Sequence, residues 1–141
     1  MVASPVAEPR YRVGRRIARG GMAEVFEAVV LGRAGFQRKV ALKQMIPESA
    51  GDPSFARMFV DEARIASCLH HPNIVGVLDY GVLDGRPFQV LEFIDGLDAG
   101  KLARRGHELD DPMTPVAALH VCREIAVGLH HAHGARDHTG A

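Results

Sequence analysis

Between Tyr11 and Met45 three runs rich in β-forming residues follow one another across short glycine-bearing links, and links of that kind fold consecutive strands back as hairpins. The first run, Tyr11 to Ala18, carries Tyr11, Val13 and Ile17 and stops at Gly20-Gly21. The second, Glu24 to Leu31, stops at a turn over Gly32 to Phe36, and the third is Gln37 to Met45. In that third run Val40 and Leu42 alternate with Ala41 and Lys43, which sets Ala41 and Lys43 together on one side of a sheet. Lys43 then points where a small apolar residue also points. Desolvating an unpaired ammonium costs several kcal/mol, so the position calls for an anion.

Pro47 to Pro53 reads as a loop, after which Ser54 is placed to cap a helix running to about Leu69. Phe55, Met58, Phe59, Ile65, Ala66 and Leu69 keep helical spacing and define its apolar stripe, with Glu62 falling inside that stripe. His71-Pro72 ends the helix. Ile74 to Tyr80 and Phe88 to Phe93 read as two more strands joined by the turn Leu83-Asp84-Gly85-Arg86, making five strands with one helix inserted after the third. Asp95-Gly96 breaks the pattern, and no strand signal recurs beyond it. Leu97 to Arg105 reads as a short helix. Thr114-Pro115 supplies a capping hydroxyl and a proline at the first helical position. From there Val116, Leu119, Cys122, Ile125, Ala126 and Leu129 form an apolar face that ends near His133-Gly134.

A chain of 141 residues, 47% hydrophobic and 24% charged, suits one ordinary globular domain. Its net charge of zero gives no support to a nucleic-acid or anionic-membrane partner. The local run Arg10, Arg12, Arg15, Arg16 and Arg19 is basic, but no aromatics interleave with it for base stacking, and it reads as a solvated strand face. Cys68 and Cys122 stand far apart without metal-ligand spacing, each on an apolar helical stripe, and read as reduced core residues of a cytoplasmic protein. Met1 to Pro9 has no basic segment followed by an apolar core, so it does not read as a signal peptide. No apolar run approaches the roughly 18 residues that a membrane span needs, and no membrane contact is expected.

Lys43 on a strand and Glu62 on the next helix are inward charges of opposite sign that satisfy each other if that helix packs on that sheet. Two roles stay open for such a pair: a strut that holds the helix, or a lysine positioned by its glutamate to meet a phosphate. The glycine stretch Ile17-Ala18-Arg19-Gly20-Gly21-Met22-Ala23-Glu24-Val25 favours the second, because backbone N–H groups freed at a strand-turn-strand can lie over an anion. On these residues the chain resembles the N-terminal half of a protein kinase catalytic domain of the bacterial Ser/Thr type. The family's GxGxxGxV loop falls on Ala18, Gly20, Ala23 and Val25, so the middle glycine is kept and two positions are alanine, with Gly21 adding its own freedom. The V-A-I-K signature falls on Val40-Ala41-Leu42-Lys43 and the helix glutamate on Glu62, and the HPNIV link common in kinases is His71-Pro72-Asn73-Ile74-Val75.

By that resemblance Lys43 meets the α- and β-phosphates of ATP and Glu62 holds Lys43, as catalytic residues. Ile17, Val25, Ala41, Leu91 and Phe93 sandwich the adenine, while Ala18, Gly20 and Gly21 belong to the loop over the phosphates. Leu91-Glu92-Phe93-Ile94-Asp95-Gly96 looks like the segment joining the two lobes, where backbone groups of Glu92 and Ile94 bond the adenine edge and Leu91 is the gatekeeper. Asp98 reaches the ribose hydroxyls or, alternatively, is a helix N-terminal acid. Ala66 and Val77 fall where the family stacks apolar residues between the helix and the fourth strand.

The resemblance covers about Tyr11 to His133. The H-R-D loop with its base and the D-F-G segment with its magnesium ligand, which the family carries next, are not in this sequence. Arg136-Asp137 has Ala135 before it and no Asn four or five residues on, so it is not read as a catalytic Arg-Asp. His130 and His133 share a helix face without an evident third ligand, and are read with His131 as favourable company for a helix C-terminus rather than as a zinc site. The expected fold is α+β: a flexible tail at 1–10, a kinase-like N-lobe of five antiparallel strands and one helix at 11–94, and a hinge with the first helices of an incomplete C-lobe at 95–141. The unpartnered apolar face of the last helix agrees with an incomplete domain. The implied function is protein Ser/Thr kinase, with ATP and Mg2+ as cofactors and a protein substrate as partner. This chain would supply the ATP-binding half and be inactive alone, without a metal ligand of its own. The alternative is a non-catalytic, pseudokinase-like regulatory or interaction module.

Overall fold

The structure is a computed structural model and describes residues 10–135, so Arg136-Asp137 lies outside the described residues. Two compact units divide the chain: one is built from the chain up to Arg64 and Val77–Phe93, the other from Ile65–Gly76 and the chain from Ile94 onward.

Strands β1 (Arg10–Arg19), β2 (Ala23–Leu31), β3 (Gln37–Met45), β4 (Val77–Leu83) and β5 (Arg86–Glu92) form the first unit's sheet in the order β1-β2-β3-β5-β4. Every neighbouring pair is antiparallel, as expected. The fourth strand begins at Val77 rather than Ile74, because the Ile74 N–H donates to the His71 carbonyl (3.0 Å) and the turn after Pro72 uses those residues up. Asp84 and Gly85 join β4 to β5 with φ of 53° and 73°, the double left-handed pattern of a tight turn whose twist matches antiparallel strands.

Period-two alternation gives the sheet two faces. On one, Ala28, Val40, Leu42, Phe88 and Val90 pack together with Tyr11, Phe26 and Val30. Tyr11 also ties the two outer strands: its hydroxyl donates to Asp79 of β4, and its ring meets Phe88 edge-on at a centroid distance of 5.5 Å. On the other face Ala23, Met45 and Phe59 form a second cluster with Met22, Ala50 and Ala56, which seats the helix after β3.

The stretch expected as a loop contains a short helix, α1 (Pro47–Ala50), started by Pro47 behind an extended Ile46. The longer helix, α2 (Pro53–Ser67), is capped by Asp52 and not by Ser54. Asp52 Oδ1 accepts from the Ser54 N–H (2.8 Å) and hydroxyl (2.7 Å), while its carbonyl accepts from Ala56 (3.2 Å). With Pro53 at the first helical position, the capping acceptor belongs one residue before it. The inward stripe also differs. Phe59 and Ala63 are buried, whereas Met58 is 56% exposed and Ile65 62%, and the Glu62 side chain is half exposed at the edge. Ala56 packs with the cluster of Ala23, Met45 and Phe59, and Ala63 is buried, so the inward side is the one that carries these small residues.

In the second unit, α3 (Ala99–Glu108) and α4 (Pro115–Gly134) follow, the former shifted a few residues past the expected Leu97–Arg105. Thr114 caps α4 as expected, its Oγ1 accepting from Ala117 N–H at 3.2 Å. The face of α4 that packs is not its apolar one. Gly128 is buried, and a methyl there would stand 3.3 Å from Asn73, whose Nδ2 donates to the Glu124 carbonyl (2.9 Å) and carboxylate (2.7 Å). Val116, Leu119, Ile125 and Leu129 are exposed, as is Cys122, which corrects its placement in a core; Cys68 is half-buried, and no disulfide joins the two. Among the described residues no helix is long and apolar enough to cross a membrane.

Candidate nucleotide-binding face

Lys43 lies on the face of β3 that carries α2. Its register partners are Val25 on β2 and Gln89 on β5, and Val25 in turn pairs with Ala18 on β1. Two residues along, Ala41 lies between Glu27 and Leu91. Side chains two apart on a strand share a face, so the register brings Ala18, Val25, Ala41, Lys43 and Leu91 into two adjacent rows. Glu92 pairs with Val40 and therefore projects to the opposite face, leaving only its backbone available to the Lys43 side. Ile17 sits at the register shift between Arg16 and Ala18, where β1 departs from regular alternation.

The ammonium of Lys43 donates to Glu62 Oε1 at 2.6 Å and stands 5.5 Å from the centre of the Phe59 ring. The Lys43 side chain is 22% exposed and that of Glu62 51%. Sequence reasoning placed both charges inside; the structure pairs them but leaves the glutamate half in water. A pair this wet contributes about 1 kcal/mol or less to stability. Holding the helix is therefore a poor reason to keep it, and an ammonium kept in place but reachable can serve a second anion.

The turn between β1 and β2 covers the same end of the sheet. Gly20 N–H donates to the Ala23 carbonyl (2.8 Å), and the Met22 carbonyl accepts from Ile46 N–H (3.0 Å), so the turn is tied to the end of β3. A methyl built on Gly21 would meet nothing within 4 Å. Ala23, at a position where the kinase loop has glycine, is 6% exposed because its methyl is part of the cluster with Met45 and Phe59. That departure thus has a packing reason. Ala18, the other alanine, is exposed.

Three features of this face were not foreseen. Gln89, 1% exposed, donates from Nε2 to the Phe59 carbonyl at 3.0 Å. Glu27 accepts from Lys39 (3.1 Å) and Arg15 (3.2 Å), which hold its carboxyl below the usual range, Lys39 contributing most. Lys39 also lies 4.5 Å from the Phe93 ring centre. A glutamine inside the apolar run Phe88 to Phe93 was the one available signal for the first. Arg12, Arg15, Arg16 and Arg19 of the basic run are exposed as expected, with Arg16 (2.6 Å) and Arg19 (3.5 Å) both on Glu24.

Ile94 and Asp98 belong to the second unit. Asp98 caps α3: Oδ1 accepts from Lys101 N–H at 2.7 Å and Oδ2 faces Lys101 Nζ at 3.2 Å, which hold its carboxyl below the usual range. In the same unit the His71 and His131 rings lie 5.0 Å apart, and His71 Nδ1 accepts from Asn73 N–H (3.0 Å). The His-Pro-Asn stretch thus docks on α4 through Asn73. No group of three or more His, Cys, Asp or Glu among the described residues is arranged to hold a metal ion.

A family model described as protein tyrosine and serine/threonine kinase matches residues 11–136. The chain is 37% identical over 138 residues to the tyrosine-protein kinase MasK of Myxococcus xanthus, spanning 96% of this chain and 21% of that protein. It is 36% identical over 125 residues to the serine/threonine-protein kinase PknE of Mycobacterium bovis, spanning 89% of this chain and again 21% of the relative. A crystal structure of the Mycobacterium tuberculosis PknI kinase domain superposes with a TM-score of 0.65 at 32% identity, covering 94% of this chain and 52% of that one. The chain therefore spans about a fifth of the length of these curated relatives and about half of a solved kinase domain. On that match over residues 11–136, the chain belongs to the protein tyrosine and serine/threonine kinase family.

Proposed function

We propose that the Lys43 face binds ATP and that the protein it serves is a serine/threonine kinase of the cytoplasm, transferring phosphoryl groups to protein hydroxyls. The observation that carries this is the Lys43–Glu62 contact at 2.6 Å on a half-solvated face beside a glycine turn. Lys43 would contact the α- and β-phosphates while Glu62 keeps the ammonium aimed. Gly20 and Gly21 would cover the phosphates. Val25, Ala41 and Leu91 would line the adenine together with Ile17 and Phe93, and backbone groups at Glu92 and Ile94 would bond its edge. Residues 11–94 form the nucleotide-binding part in this reading, and 95–141 the hinge and the start of the second lobe. Asp98 is already used as a helix cap, and a ribose contact would have to share its carboxylate with Lys101. Magnesium would enter with the nucleotide; the described residues offer no cluster to hold it, and no step is assigned to it.

Titrating ATP against the 141-residue chain and its Lys43→Met variant tests the reading. Affinity is expected to fall about tenfold or more in the variant, the scale of one charge-assisted contact to phosphate. Equal affinity in both would remove Lys43 from the phosphate role. In a protein that carries this chain together with H-R-D and D-F-G segments, phosphoamino-acid analysis after incubation with ATP tests the choice of acceptor, serine and threonine being expected over tyrosine.

A further inference from the structure

Gln89 occupies the centre of β5 with Phe88 and Val90 as chain neighbours, and its register partner is Lys43. It is 1% exposed, and its side-chain amide donates to the main-chain carbonyl of Phe59 at 3.0 Å. Phe59 lies inside α2, where a carbonyl already has the amide four residues on as its partner. The carbonyl does not need the glutamine, and burying an amide carries a desolvation cost that an apolar side chain of the same size avoids. What the glutamine adds is direction. Dispersion and apolar contact tolerate sliding of a helix over a sheet, whereas a hydrogen bond weakens steeply with distance and angle. Phe59 is three residues before Glu62, less than one turn away, and its ring stands beside the Lys43 ammonium. A rotation or translation of α2 large enough to take Glu62 off Lys43 must therefore break the Gln89–Phe59 bond.

We infer that Gln89 is a positioning residue that latches α2 to β5 and thereby keeps Glu62 on Lys43. Its importance for nucleotide binding rests on the ATP reading of the Lys43 face, but the latch itself does not. The test uses the 141-residue chain and Gln89→Met, which keeps the volume and removes the donor. The state of the lysine–glutamate pair is read from the Lys43 Nζ resonance in lysine-labelled protein. Gln89→Met is expected to move that resonance to its position in Glu62→Gln, and to weaken ATP binding about three- to tenfold, the size of one net hydrogen bond. In a Glu62→Gln background the same substitution is expected to add no further loss, since both act through one contact. A wild-type Lys43 resonance in Gln89→Met, or a full additional loss in the Glu62→Gln background, overturns the latch. Should Gln89→Met not fold, hydrogen exchange of the wild-type chain decides: the Gln89 side-chain amide is expected to exchange with the α2 interior amides, and exchange at the rate of a free glutamine rejects the role. If wild type and Lys43→Met bind ATP equally, the nucleotide reading fails while the resonance and exchange measurements still judge the latch.

Discussion

The phenol of Tyr11 holds its proton well above the ordinary 10.0, because burial and then the Asp79 carboxylate disfavour the phenolate. A pKa raised by folding means that the proton stabilises the fold. That contribution is complete below the unfolded value near 10 and is lost as pH rises toward the folded one. Tyr11→Phe is expected to lower stability at neutral pH by about 1 kcal/mol, and to remove the extra stability loss between pH 10 and 11. Urea denaturation of both proteins across that interval checks it, and equal alkaline slopes would exclude the tie to Asp79. Glu27 works at the other end of the scale. Its folded pKa lies below the unfolded one, so its contribution is present above the ordinary carboxylate range and disappears as pH falls through the folded value. Glu27→Gln is expected to flatten the acid limb of stability at low salt, the effect shrinking in 1 M salt because the partners are exposed. At this scale Lys43 and Glu62 are legible in the sequence, since a charge inside an apolar pattern stands out by itself. Gln89 is not, because its role depends on a main-chain carbonyl of another element, and no side-chain pattern records where a carbonyl will point.

Helix ends and tight turns depend on local chemistry, which makes them the most readable parts of the chain and also the easiest to misassign by one position. Thr114-Pro115 reads correctly as a start because hydroxyl and proline are adjacent in the required order. At α2 the same logic points to Asp52, since Pro53 already holds the first helical position and Ser54 can only be a donor to the cap. Asp52→Ala is expected to destabilise by about 1 kcal/mol, measurable by thermal denaturation, with Ser54→Ala costing less. Equal losses would return the cap to Ser54. Gly85 at φ 73° follows Asp84 in a turn that favours glycine, and Gly85→Ala is expected to cost about 1 kcal/mol. The inward face of α2 was less readable. Apolar spacing gave Met58 and Ile65 as much claim to the core as Phe59, and only the close approach permitted by small residues selects among them. The same holds for α4, where a glycine and not a leucine meets its neighbour.

Strand number and pairing direction across the first unit follow from short links and alternation, but the order β1-β2-β3-β5-β4 does not, because β5 reaches β3 over an intervening helix and strand. That order makes β3 central, with Val40 and Leu42 fully buried between β2 and β5. The slowest backbone hydrogen exchange of the unit is expected in β3 and β5, and the fastest strand amides in β1. Comparable rates in β1 and β3 would contradict the order. There is also a temporal side to this arrangement. As the chain leaves the ribosome, β1, β2 and β3 can form a meander early, yet the far edge of β3 has no partner until Arg86–Glu92 has been made. For that interval an apolar strand edge is open to any neighbouring chain, and the helix that emerges in between is what stands nearest to shield it. Slowing translation while β3 has emerged from the ribosome and β5 has not should therefore raise aggregation of the nascent protein more than slowing it once β5 has emerged.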